Sequence, residues 1–177
     1  MQRYINDPLL IGGKKFDVRL YVLVTSYSPL TVYFYRGGFA RFTHCRYDES
    51  KIQNAEIHLT NVAVQKQVEG YDESNGGKWY IEGLKVYLMS RFGEGVTNGC
   101  FFRIQEIVIK TLEAVQKVMA SDRDNSFELY GFDILLDSKL SPWLIEVNGS
   151  PSMTATTVKD HEFKVNLLDD TLSVIDM

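Results

Sequence analysis

The chain has 177 residues, 45% of them hydrophobic and 12% aromatic, which suffices for one packed domain and excludes a disordered or low-complexity protein. Its net charge of −4 and pI of about 5.4 are too acidic for the basic footprint of a nucleic-acid binder, so no nucleic acid is expected as a partner. The charge is uneven: residues 1–50 carry seven Lys/Arg against four Asp/Glu, a net of +3, and the rest sum to −7, a pattern that favours a local anion site.

The first residues, MQRYINDPLL, lack the apolar run of a signal peptide, and no later segment has the length and apolarity to span a bilayer. The expectation is a soluble cytoplasmic protein with no membrane partner. Cys45 and Cys100 are far apart and the three histidines are scattered, so neither zinc spacing nor a disulfide framework is expected.

In chain order, Gln2-Arg3-Tyr4-Ile5 reads as the end of a strand. Gly12-Gly13 precedes two lysines, but the full phosphate-loop pattern is absent and the motif is discounted. Phe16 to Ser26 alternates in β-forming residues and predicts a strand. Ser28-Pro29 marks a turn, Thr31 to Arg36 the returning strand, Gly37-Gly38 a break, and Phe39 to Thr43 a third short strand. Residues 44–76 are polar and turn-rich around one compact island, His58 to Lys66, with a loop over Glu69 to Gly77. Helical spacing follows at Ile81 to Phe92 and again at about Asn98 to Ala120, the latter with Phe101, Ile104, Val108, Leu112, Val115 and Met119 on one face. Two strands occupy Phe127 to Pro151, and a short helix is expected from about residue 160. Strands, then helices, then strands predict an α+β fold with a largely antiparallel sheet.

The densest chemistry lies in the run FELYGFDILLDSKLSPWLIEVNGSP. With Ser138 to Ser141 as the loop, Asp137 opposes Pro142, and four pairs back Asp133 opposes Glu146. Asn148 lies two residues beyond Glu146 on the same face. Two carboxylates this close repel unless a cation lies between them, and magnesium suits two carboxylates with positions left for phosphate oxygens. Exposed, solvated strand residues are the competing reading.

Lys15, Asp17 and Arg19 alternate on one face of the first clear strand, opposite Phe16, Val18 and Leu20. They form either an exposed salt-bridge cluster of little energetic weight or a group in which Lys15 and Arg19 address phosphate and a reacting carboxylate, with Asp17 holding Arg19. Arg41 is expected to reach the same site. Thr60 and Asn61 either cap a turn or contact ribose or phosphate, and His58 reads as a structural hydrogen-bonding residue.

Taken in order, RYINDPLLIGGKKFDVRLYVLV, HLTNVAVQK, GGKW, ELYGFDILLD and PWLIEVNGSPS resemble the catalytic domain of the tubulin–tyrosine-ligase-like family over essentially the whole chain. HLTNVAVQK and the stretch after PSMTA are most similar to its polyglutamylase members, those of cilia and basal bodies in particular. The resemblance implies an ATP-grasp-like fold, represented here by 1–177 as a partial catalytic domain with the N-terminal part of that fold missing. It implies an ATP-dependent ligase that adds free glutamate to glutamate side chains in the acidic tails of tubulin and microtubules, through an acyl phosphate. A glycylase and a non-catalytic microtubule-binding module are the alternatives. It further implies ATP and Mg2+ as cofactors and a cytoplasmic, cytoskeletal location, including the cilium or flagellum axoneme and basal body. By the same resemblance Asp133, Glu146 and Asn148 match the magnesium ligands. Gln2, Tyr4 and Ile5 match the adenine segment, and Lys15, Asp17, Arg19, Arg41, Thr60 and Asn61 match positions around the nucleotide and the incoming amino acid. Lys15, Arg19 and Arg41 are the expected catalytic cations.

Overall fold

The computed structural model describes residues 3–68, 77–120 and 126–175. Gln2 and nearly all of the expected loop over Glu69 to Gly77 lie outside the described residues. The element order is β1 (Leu10–Ile11), β2 (Lys14–Tyr27), β3 (Leu30–Phe42), a single 3-10 turn (Glu49–Lys51), α1 (Ala55–His58), α2 (Val62–Gln65), β4 (Lys78–Tyr80), α3 (Ile81–Phe92), α4 (Glu94–Met119), β5 (Glu128–Leu136), β6 (Pro142–Asn148) and α5 (Val158–Val174). The sheet runs β4-β3-β2-β5-β6, with β1 paired to β2, and each of these pairs is antiparallel. This is the α+β, largely antiparallel architecture expected.

Central β2 is buried on both faces. Phe16, Val18, Leu20, Val22 and Val24 point to one side, where they meet Leu84 and Leu88 of α3 and Cys100, Ile104, Val108 and Leu112 of α4. The four α4 residues recur every fourth position, which keeps one stripe against the sheet. That stripe ends at Leu112: Val115 and Met119 are exposed, contrary to the longer face expected. On the other side of the sheet Tyr21 and Phe39 pack with Leu167 of α5, and Phe163 joins them. α5 therefore covers only part of this second face. The charged residues Lys15, Asp17 and Arg19 stand beside it. Among the described residues, no helix is long and apolar enough to cross a membrane.

Three expectations are corrected. Arg3 to Ile5 form no strand. Gly37-Gly38 does not break the chain, because β3 continues from Leu30 to Phe42. The pairing with β2 slips there, from Leu20↔Gly38 to Val22↔Phe34, so the glycines sit at a bulge. A Cβ on Gly38 would stand 2.7 Å from the carbonyl oxygen of Arg19, closer than two strands tolerate. The third correction concerns register. Leu136, rather than Asp137, opposes Pro142. A second shift, between Asp133 and Ile134, inserts Ile145 into β6 and brings Asp133 opposite Glu146 after all.

Candidate functional site

One cavity of about 1180 Å³ lies over the second face of the sheet, and it gathers residues from every strand except β1 together with α1, α2, α5 and the loops beside them. Lys15, Asp17, Arg19, Arg41, Thr60, Asn61, Asp133, Glu146 and Asn148 all line it. Tyr4 and Ile5 do not. Tyr4 approaches its wall indirectly, through His58 and Lys15.

The floor of the cavity is an ion-pair network across three adjacent strands. Arg19 on β2 is paired with Asp133 on β5 at the same register position, its Nε donating to Oδ1 and its Nη2 to Oδ2 at 3.0 Å. Arg41 on β3 is paired in the same way with Asp17 on β2, with Nε donating to Oδ1 at 2.9 Å. Nη2 of Arg41 also donates to Asp133 Oδ2 at 2.7 Å. The expectation that Asp17 holds Arg19 is thus overturned: Asp17 holds Arg41, and Arg19 belongs to Asp133. The reason is register, since alternation on β2 puts Asp17 and Arg19 side by side while antiparallel pairing puts each opposite a partner of opposite charge.

All four charges are buried or nearly so, and the reading of an exposed cluster does not hold. Burial works to raise the Asp133 carboxyl, but Arg19 and Arg41 outweigh it and hold it below its ordinary value. For Asp17 burial prevails over Arg41 and the carboxyl is pushed up. Burial lowers the Lys15 ammonium, with Asp17 opposing it.

Glu146 stands exposed at the cavity edge, across the pair from Asp133. The Asn148 amide nitrogen donates to Glu146 Oε1 at 3.2 Å and to the Gly131 carbonyl at 3.4 Å, which fixes its oxygen as the group left to receive a donor or cation. No group of three or more His, Cys, Asp or Glu able to hold a metal occurs among the described residues. The set is two carboxylates and one amide oxygen. Such hard oxygens match magnesium, which is content with one or two carboxylates. The fit has one condition: Asp133 already accepts three guanidinium hydrogen bonds of the roughly four acceptor positions a carboxylate offers.

Asn61 takes the capping role, its Oδ1 accepting from Ala63 N at 2.9 Å at the start of α2, while still facing the cavity. His58 is the structural histidine expected, buried and bonded at both ring nitrogens.

Sequence reasoning missed the opposite wall. Lys164 of α5 is buried and donates to Tyr21 OH at 2.7 Å and to Ser152 O at 2.6 Å. Lys78 of β4 is paired with Asp160 of α5 and lies 3.7 Å from the centre of the Phe39 ring. The spacing of Asp160 and Lys164, one helical turn apart, reads in the sequence as an ordinary solvated pair.

Fold and site together define an α+β protein whose antiparallel sheet carries a deep cleft of matched cations and carboxylates. The chain belongs to the tubulin-tyrosine ligase family, whose family model matches residues 1–177. It is 51% identical over 176 residues to the probable tubulin polyglutamylase TTLL9 of Rattus norvegicus, covering 99% of this chain and 38% of that protein. It is 46% identical over 177 residues to the probable alpha-tubulin polyglutamylase Ttll1 of Tetrahymena thermophila, covering 99% of this chain and 43% of the relative. Tubulin polyglutamylase TTLL5 of Homo sapiens is 40% identical over 191 residues, with 99% and 15% covered. The chain therefore spans less than half the length of these relatives.

Proposed function

We propose that this chain supplies the metal- and phosphate-binding face of an ATP-dependent ligase, built on an ATP-grasp-like fold, that adds glutamate to glutamate side chains of tubulin tails. Support comes from the names of the three relatives given above, each a tubulin polyglutamylase or probable one, and from one structural observation. Asp133, Glu146 and Asn148 share a single cavity with Lys15, Arg19 and Arg41.

A carboxylate is a poor electrophile, so the tail carboxylate must first be activated, in this reading as an acyl phosphate formed from ATP, before the amine of free glutamate displaces phosphate. Asp133, Glu146 and Asn148 would hold Mg2+, which neutralises charge on phosphate oxygens when bound. The protein's own contribution is positioning. Asp17 fixes the guanidinium plane of Arg41, and Asp133 fixes that of Arg19. Held this way, Arg19 keeps its Nη1–Nη2 edge as a fork for a phosphate or carboxylate, and Arg41 keeps its Nη1 hydrogens, without reorganising. Their low exposure limits screening by bulk water. A cytoskeletal site of action, at microtubules and the axoneme or basal body, follows from a tubulin substrate.

The test is incorporation of radiolabelled glutamate into tubulin by the intact protein. Glu146→Gln is expected to abolish it, and unchanged incorporation would refute the metal role. Replacing glutamate by glycine in the same assay separates a glycylase from a glutamylase.

A further inference from the structure

Cations around the cavity are not equivalent. Arg19 and Arg41 are bound to carboxylates, Lys78 is paired with Asp160, and Lys164 is bound to two oxygens. The Lys15 ammonium makes neither hydrogen bond nor ion pair among the described residues, although the residue is only 8% exposed. What it has is a ring: its Nζ lies 4.8 Å from the centre of Tyr4. A lysine ammonium is a point charge on a four-carbon stem with much rotamer freedom, so a ring face that holds it sets where its charge is.

Tyr4 needs holding in turn. It lies outside any helix or strand and is 37% exposed. Its hydroxyl lies 2.6 Å from Nδ1 of His58, a far shorter contact than its 3.5 Å approach to the Tyr47 hydroxyl. His58 closes α1 and is 5% exposed, with its ring edge-on to both Tyr4 and Tyr47. Its Nε2 lies 3.1 Å from the carbonyl oxygen of Lys51, which can only accept. That assigns the ring proton to Nε2 and leaves Nδ1 to accept from Tyr4. The chain of contacts runs from the Lys51 backbone through the imidazole and the phenol to the ammonium.

We propose that His58 is a positioning residue that sets the place of the Lys15 ammonium in the cavity, acting through the ring of Tyr4. Its use for binding nucleotide phosphate rests on the reading above. Lys15 supplies the charge, Tyr4 the platform, and His58 the anchor that keeps the platform still.

Two measurements on the intact protein separate the proposal from the nucleotide reading. The first needs no nucleotide: in protein labelled with 13C-lysine, the ring current of Tyr4 displaces the ε-methylene protons of Lys15 upfield. His58→Leu and Tyr4→Phe, which both delete the phenol–imidazole bond, should remove most of that displacement. His58→Asn, which keeps an acceptor near the Nδ1 position, should retain it. The second is the affinity for MgADP by calorimetry. His58→Leu should weaken it about fivefold, and should have no further effect in a Lys15→Met background. An unchanged Lys15 resonance in both His58→Leu and Tyr4→Phe overturns the proposal, as does equal weakening by His58→Leu with and without Lys15. A resonance that responds in a protein that binds no MgADP upholds the positioning and removes the nucleotide as its purpose.

Discussion

Arg19 and Asp133 face each other across the β2–β5 pair, and the carboxylate that Arg19 grips with two nitrogens is the one Arg41 reaches at 2.7 Å from β3. One acid thus ties three strands beneath the cavity. Asp133→Asn keeps the shape and removes the charge, leaving two buried guanidiniums to share Asp17. It should cost about 3 kcal/mol of stability, read from urea melts. A loss below ~0.5 kcal/mol would mean that the pair behaves as an exposed one.

Acid should act on the same network. The Asp133 carboxyl lies below its ordinary value of 3.8, and so does that of Asp137, where burial is outweighed by the Trp143 indole and the Ser141 and Lys139 amides. A depressed acid contributes stability that is complete above the unfolded value and lost as pH falls through the folded one. Asp17, raised by burial, has the opposite sign and gains as it takes up a proton. Thermal melts from pH 5 to pH 2 should therefore show a fall below pH 3.8 that is shallower in Asp133→Asn. An identical slope in the two proteins would contradict the assignment.

Gly38→Ala should be costly for a different reason. The added methyl would meet the backbone oxygen of Arg19 at 2.7 Å, and backbone cannot step aside as a side chain can. A loss of about 2 kcal/mol is expected. Gly83→Ala, in helix α3 with nothing within 4 Å, should instead stabilise by about 0.5 kcal/mol. Paired melting curves of the two variants check both signs.

Thiol labelling should separate the two cysteines. Burial pushes the Cys100 thiol up to about 11, and its side chain is sealed between the sheet and α4. Cys45 is partly exposed. Iodoacetamide at pH 8 should modify Cys45 first and reach Cys100 only on unfolding. Equal native rates would contradict the packing of α4.

Much of this was legible in the sequence, and the failures have physical causes. Alternation on β2 is visible because its two faces differ in chemistry, one apolar and one charged. The partner of each charge was not visible, because partners depend on strand order, and Asp17–Arg41 and Arg19–Asp133 join segments up to 114 residues apart. Asp133 opposite Glu146 was reached through two errors that cancel: the turn is one residue longer than counted, and the inserted Ile145 restores the pairing. Gly37-Gly38 misled because a glycine pair marks a bulge as readily as a break. Lys164 was overlooked because a helical lysine is ordinarily solvated, and only packing of α5 on Tyr21 and Phe39 buries it.

The most direct test is calorimetric titration of the intact protein with ATP, with and without magnesium, beside the Glu146→Gln variant. The account predicts magnesium-dependent binding that weakens by about tenfold or more in the variant. Binding that ignores both the metal and the substitution, or no binding at all, would contradict it.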